Sequence, residues 1–113
     1  MKLETLLTGL GLTVLAGSVG AAFIDNNEPV STVAEALKMQ DNSPVVLEGK
    51  ITHRLHKDKY QFTDRTGEIT IEIDKDEWNG LDVYPTNTVR IWGDIEKDWD
   101  ATTVDVRNIE IIP

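Results

Sequence analysis

From Val45 onward the chain alternates apolar and polar residues with a period of two, as half-buried strands do. Val45, Leu47, Gly49, Ile51 and His53 share one phase; Val46, Glu48, Lys50, Thr52 and Arg54 share the other. This predicts a first strand, then a turn over His56–Asp58. In the second strand Tyr60 and Phe62 point inward and Lys59, Gln61 and Thr63 outward. Asp64-Arg65-Thr66-Gly67 reads as a hairpin turn with positive φ at the glycine. Ile69, Ile71 and Ile73 alternate with Glu68, Thr70, Glu72 and Asp74 as a third strand. Asp74–Gly80 is polar and predicts one helical turn closed by Gly80. Pro85 bars a central strand from the following connection. Val89, Ile91, Gly93 and Ile95 oppose Arg90, Trp92, Asp94 and Glu96 in a fourth strand. Val104, Val106, Ile109 and Ile111 form a fifth. Its phase slips by one residue, which predicts a bulge near Arg107 and Asn108.

Before the strands, Thr32 and Glu35 make a capping box, each satisfying the other's free backbone N–H. Val33, Ala34, Ala36, Leu37 and Met39 give a short helix with one apolar side, ended by Asp41-Asn42-Ser43-Pro44. The expected fold is all-β: a five-stranded Greek-key barrel of the OB type with a short N-terminal helix that caps one open end. Inward glycines on strands one and four let each strand curl around the barrel. A plain antiparallel sandwich is the alternative.

The first 22 residues predict export. Lys2, an apolar run from Leu6 to Val19, and then Gly20-Ala21-Ala22 form the three regions of a signal peptide. Cleavage fits Ala21 or Ala22, and the domain boundary is set at Ala22, leaving residues 23–113 as one domain. A membrane anchor is the other reading. The run is shorter than the roughly 20 residues a bilayer core needs, and Gly9, Gly11 and Gly17 interrupt it, so no stable membrane insertion is expected after cleavage. The chain has no cysteine, so a small exported domain must hold together by packing alone. Its net charge of −9 repels nucleic acid, whose binders neutralise phosphates, and suits solubility or a cationic partner.

Thr32-Val33-Ala34-Glu35-Ala36, Val46-Leu47-Glu48-Gly49, Tyr60-x-Phe62-x-Asp64, Gly67, Ile73-Asp74, Trp78-Asn79-Gly80 and Gly93-x-Ile95-x-Lys97-Asp98-Trp99 together resemble the bacterial OB-fold (BOF) family, the YgiW/YdeI type of exported stress-tolerance protein. The resemblance covers the whole of the mature region. It implies an OB barrel in the periplasm of a Gram-negative bacterium, a role in envelope stress, and a small or cationic ligand in place of nucleic acid. It brings no catalytic motif. Glu4 and the short leader depart from the family pattern.

In OB barrels the ligand face is the outer surface of strands two and three. Candidate ligand-binding residues there are Gln61, Thr63, Thr70 and Glu72, joined by Lys50 and Thr52 of strand one. The face shows no aromatic platform for single-stranded nucleic acid. Trp92 falls on the polar phase of strand four: it is either an exposed anchor for a ligand or covered by the helix or a loop. Trp78 and Trp99, in turns, are expected to plug barrel ends. Acidic residues gather in two turns, Asp74-Asp76-Glu77 and Glu96-Asp98-Asp100. The first fails the calcium-loop pattern, because Trp78 stands where Asp or Asn is needed. His53 and His56 fall on opposite faces of a strand end, which suits turn histidines better than metal ligands. No nucleophile–base triad, phosphate loop or shielded carboxylate pair is readable, so neither enzyme chemistry nor a cofactor or metal is expected. The reading is a non-enzymatic periplasmic protein of envelope stress tolerance that binds a small or cationic ligand or an envelope component, with an adaptor that regulates an envelope enzyme through Trp92 as the alternative.

Overall fold

The computed structural model describes residues 28–113; the expected signal peptide and residues 23–27 lie outside them. Among the described residues, one short helix and five strands follow one another: α1 (Val33–Ala36), β1 (Pro44–His56), β2 (Lys59–Asp64), β3 (Gly67–Glu72), a 3₁₀ turn (Lys75–Trp78), β4 (Thr88–Lys97) and β5 (Thr102–Ile112). The strands close into a barrel in the order β1-β2-β3-β5-β4, with β1 also paired to β4. Among the described strands, only β3 and β5 run parallel to each other. This is the expected OB barrel.

The two-residue period sets which side chains enter it. Leu47, Phe62, Ile71, Ile73, Val89, Ile91, Ile95, Val104 and Val106 are all fully buried. Tyr60 is only half-buried: it lies at the barrel end, where its ring meets Trp78 edge-on. The slip in β5 is a bulge, since Trp92 pairs with Asn108 and Gly93 with Val106, leaving Arg107 over.

Glycine is required where strands cross most closely. A Cβ on Gly49 would run into the Thr63 carbonyl oxygen and approach the Phe62 ring at 2.9 Å. A Cβ on Gly93 would run into the Asp105 carbonyl oxygen and approach Val104 Cγ1 at 2.9 Å. The β1 and β4 backbones thus press on β2 and β5 with no room for a methyl group.

The helix is one turn long, shorter than its apolar pattern suggested, but its capping box forms: the Glu35 N–H donates to Thr32 Oγ1 and the Thr32 N–H to Glu35 Oε1. Val33 and Ala36 are fully buried in the barrel core, so the helix caps that end. The β2–β3 hairpin clamps it there. Asp64 accepts from the Val33 N–H at 2.9 Å and from the Thr66 N–H at 2.7 Å, while Thr66 Oγ1 accepts from the Ala34 N–H. Burial would raise the Asp64 pKa, but these donors and the Thr66 hydroxyl outweigh it and hold the carboxyl below its ordinary value. Gly67, with φ 159°, is near-extended and begins β3. The turn is shaped by the Asp64 side-chain bonds and closed by Gly67, whose φ is positive as the sequence predicts.

Candidate functional site

The expected ligand face exists as a surface, but most of its polar groups are engaged with neighbouring protein groups. Lys50 Nζ donates to Thr88 Oγ1, Thr52 Oγ1 to the Gln61 carbonyl, Gln61 Nε2 to Glu68 Oε1, and Thr63 Oγ1 to the Gly67 carbonyl. Glu72 lies 3.6 Å from Lys59 Nζ, and Thr70 sits opposite Gln61. These six residues share the outside of β1–β2–β3. None lines any of the three cavities found beside the barrel.

Trp92 is not among them. It lies on the outside of β4, opposite Val46 on β1 and Asn108 on β5. It points outward, as its phase demands, yet only 3% of it is exposed. The segment before the helix runs over this part of the wall, with the Ser31 N–H donating to the Val46 carbonyl at 2.8 Å. The Arg90 guanidinium lies 5.9 Å from the indole centroid, held there by its bond to Glu48 Oε2. An exposed Trp92 anchor is thereby corrected: a loop covers it. Its Nε1 is buried without a protein partner. A cavity of about 260 Å³, lined by Glu28, Pro29, Ser31, Val46, Trp92 and Arg107, adjoins it and has room for water.

The two tryptophans in turns behave differently. Trp78 packs against the core beside Tyr60, with ring centroids 5.4 Å apart and planes 81° apart. Trp99 is 95% exposed, so its expected role as a plug is corrected. The turn that carries it is closed by its own backbone, through the Asp98 N–H and the Ala101 carbonyl, and projects from the barrel.

A further electrostatic feature runs across β3, β5 and β4. Glu72 on β3, Asp105 on β5 and Asp94 on β4 are register partners across three adjacent strands. Like charges directly opposite one another in a sheet are destabilising. Lys59 faces Glu72, and Arg107 bonds Asp94 at 2.8 Å, but Asp105 has no ion pair among the described residues. Its carboxyl is pushed up by burial and then by repulsion from Glu72, Asp74 and Asp94. Glu77 is raised by burial and by Asp74, Asp105 and Asp76; Glu96 by burial and by Asp105, Glu72 and Asp98. Asp105 therefore joins the two acidic turns into one field. Among the described residues, no three His, Asp or Glu side chains converge as a metal cage, so the field is an open surface and not a coordination sphere.

Residues 14–111 match the protein family described as bacterial OB fold (BOF) protein. The chain belongs to that family. Protein YgiW of Escherichia coli is 41% identical over 83 residues, covering 74% of this chain. That match spans 64% of the length of YgiW, just under two thirds. The calcium-regulated OB-fold protein CarO of Pseudomonas aeruginosa is 32% identical over 118 residues, covering 99% of both chains. The solved structure of E. coli YgiW superposes with a TM-score of 0.74 at 36% identity, covering 82% of this chain and all of that one.

Within this BOF barrel, Asp105 is the residue that sequence reasoning passed over. It stands alone between Val104 and Val106 in an ordinary alternating strand. Its outward phase was legible; its partners, 11 and 33 residues away, were not, because the parallel β3–β5 pairing brings them together.

Proposed function

We propose that this BOF protein is a non-enzymatic, ligand-binding component of the Gram-negative periplasm that serves envelope stress tolerance by capturing a small or cationic ligand. The observation that carries this reading is the Glu72–Asp105–Asp94 row: three carboxylates in register, with the central one unpaired among the described residues. A surface that retains such repulsion gains when a cation arrives. The net charge of −9 extends the attraction beyond contact range. The relative CarO is named calcium-regulated, which supports a setting in which divalent cations matter. The carboxylates stand on an open face, whereas acid–base catalysis uses a shielded pair with separated pKa values. The β2–β3 face offers no aromatic platform, and the charge opposes phosphate, which together disfavour nucleic acid. The adaptor reading relied on Trp92 as a surface anchor and loses support from its burial.

The test is a titration of the protein with Ca²⁺, spermidine and a cationic peptide, followed by NMR. Salt-sensitive shifts centred on Glu72, Asp94 and Asp105 are expected, reduced by Asp105→Asn. Silence for all three ligands at about millimolar concentration, the range of a weak exposed site, sinks the reading. Cell fractionation checks the address: recovery in the cytoplasm with an uncleaved N-terminus overturns the periplasmic assignment.

A further inference from the structure

At the end of the barrel beside the 3₁₀ turn, a cleft of about 390 Å³ is lined by Tyr60, Trp78, Leu81, Asp82, Val83 and Tyr84. Its size falls within the usual range for small-ligand sites. Three of the seven aromatic residues of the whole chain meet there. Tyr60 and Trp78 stand nearly perpendicular, at 81°, and so present two walls of a corner. Tyr84 lines the same cleft and is 65% exposed, so its ring is open to a ligand from solvent. It is not loosely held. The Asn87 N–H donates to the Tyr84 carbonyl, and the Tyr84 N–H donates to Asn87 Oδ1 at 2.7 Å. The Leu81 N–H donates to the Trp78 carbonyl and fixes the start of the same loop.

We propose that this cleft is a recognition site for an alkylammonium cation, with the faces of Tyr60, Trp78 and Tyr84 as its walls and Asp82 as its counter-charge. Aromatic faces carry negative potential and attract a cation whose own shell is apolar. The exposed Asp82 carboxylate at the rim supplies the charge that the rings lack. Asp74, Asp76 and Glu77 lie in or beside the 3₁₀ turn that bears Trp78, so the acidic field already concentrates cations at this end. An inorganic ion would forfeit its water on entering the aromatic corner; an alkylammonium group forfeits little and fills the apolar part with Leu81 and Val83. The site deepens the cationic-ligand reading by naming the ligand class, yet it is separate from the carboxylate row and can fail independently of it.

The experiment is a titration of the protein with choline, with its uncharged carbon isostere 3,3-dimethylbutan-1-ol, and with spermidine. The readout is the Trp78 indole N–H and the amides of residues 81–84 in ¹H–¹⁵N spectra. Saturable shifts there with a Kd on the order of 1–10 mM are expected for an alkylammonium and not for the isostere. Choline alone assigns quaternary heads, and spermidine alone assigns protonated amines. Tyr84→Ala, at a position too exposed to disturb the core, should weaken binding about three- to fivefold, and Tyr84→Phe should retain it. Equal binding of the isostere, no shift at Trp78 with either cation, or indifference to Tyr84→Ala overturns the proposal. If Ca²⁺ still shifts the Glu72–Asp105–Asp94 row in that case, the acidic-surface reading stands without the cleft. Asp105→Asn should diminish the Ca²⁺ response and leave choline affinity within about twofold, because its loss acts on the cleft only through screened, long-range charge.

Discussion

Replacing Gly93 with alanine should strongly destabilise the barrel. The added methyl would collide with the Asp105 carbonyl oxygen and sit 2.9 Å from Val104 Cγ1 and 3.0 Å from the Asp105 carbonyl carbon. Two of these three atoms are backbone. They belong to β5, which pairs with β4 at ten positions, so neither strand can withdraw without breaking its ladder. A side chain could rotate aside; a laddered carbonyl cannot. Overpacking in a closed core costs about 1–3 kcal/mol, and each ladder bond lost as the strands separate adds about 1 kcal/mol. The expected loss is therefore about 3–4 kcal/mol, a large share of the roughly 5–15 kcal/mol that holds a domain together. For a domain of this size that corresponds to a fall in Tm of about 12 °C or more. Urea unfolding followed by circular dichroism and tryptophan fluorescence measures it, with the slope m reporting whether the transition remains two-state. Gly49→Ala should behave alike, because the Thr63 carbonyl stands in the same relation to it. A Gly93→Ala protein within about 1 kcal/mol of the parent, below the overpacking range, would show that the crossing is looser than described and refute the reasoning.

Three further outcomes follow from the electrostatics and the burial. Asp64→Ala removes the acceptor that clamps the helix to the hairpin and should cost about 1–3 kcal/mol, because it frees donors at both Val33 and Thr66; thermal melting compares it with the parent. Stability should depend on pH in two opposite ways. Glu77, Glu96 and Asp105 are raised above their ordinary values of 4.5, 4.5 and 3.8, so the folded state takes up protons before the unfolded chain does, and stability increases as pH falls through that window. Asp64 is lowered below 3.8, so its contribution, present at higher pH, is lost as pH falls further through its folded value. Urea midpoints that only decrease from neutral pH downward would contradict the repulsive row, and added salt should mimic the gain by screening it. Acrylamide should quench Trp99 freely and Trp92 hardly at all, since they are 95% and 3% exposed; Trp92→Ala should cost about 3–5 kcal/mol as a buried aromatic.

The strands, their inward faces and the β5 bulge were legible because the pleat of a strand is a local property. Alternation from Val45 to Ile111 needs no knowledge of which strand lies beside which. Gly49 and Gly93 were legible as close approaches for the same reason: each breaks an apolar phase that is otherwise filled. The tryptophans were legible only in part. Trp92 has an outward phase, but phase cannot say that residues 28–31 will run across it. Trp99 stands in a turn much as Trp78 does, and only the path of each turn decides that one ring packs on Tyr60 while the other faces water.

The candidate sites were less legible still, since both depend on residues distant in the chain. Tyr60 and Tyr84 lie 24 residues apart and belong to different elements, so no spacing rule joins them in one cleft. By itself, then, the sequence determined the barrel, its core, its acidity and the places where only glycine fits, because these follow from side-chain size, charge and the two-residue period. The tertiary structure alone decided that Glu72, Asp94 and Asp105 stand in one row, that Trp92 is covered, and that three aromatics share a cleft. Closure of the barrel sets those neighbours through the register of β3 on β5 and β5 on β4, a choice no single strand can encode.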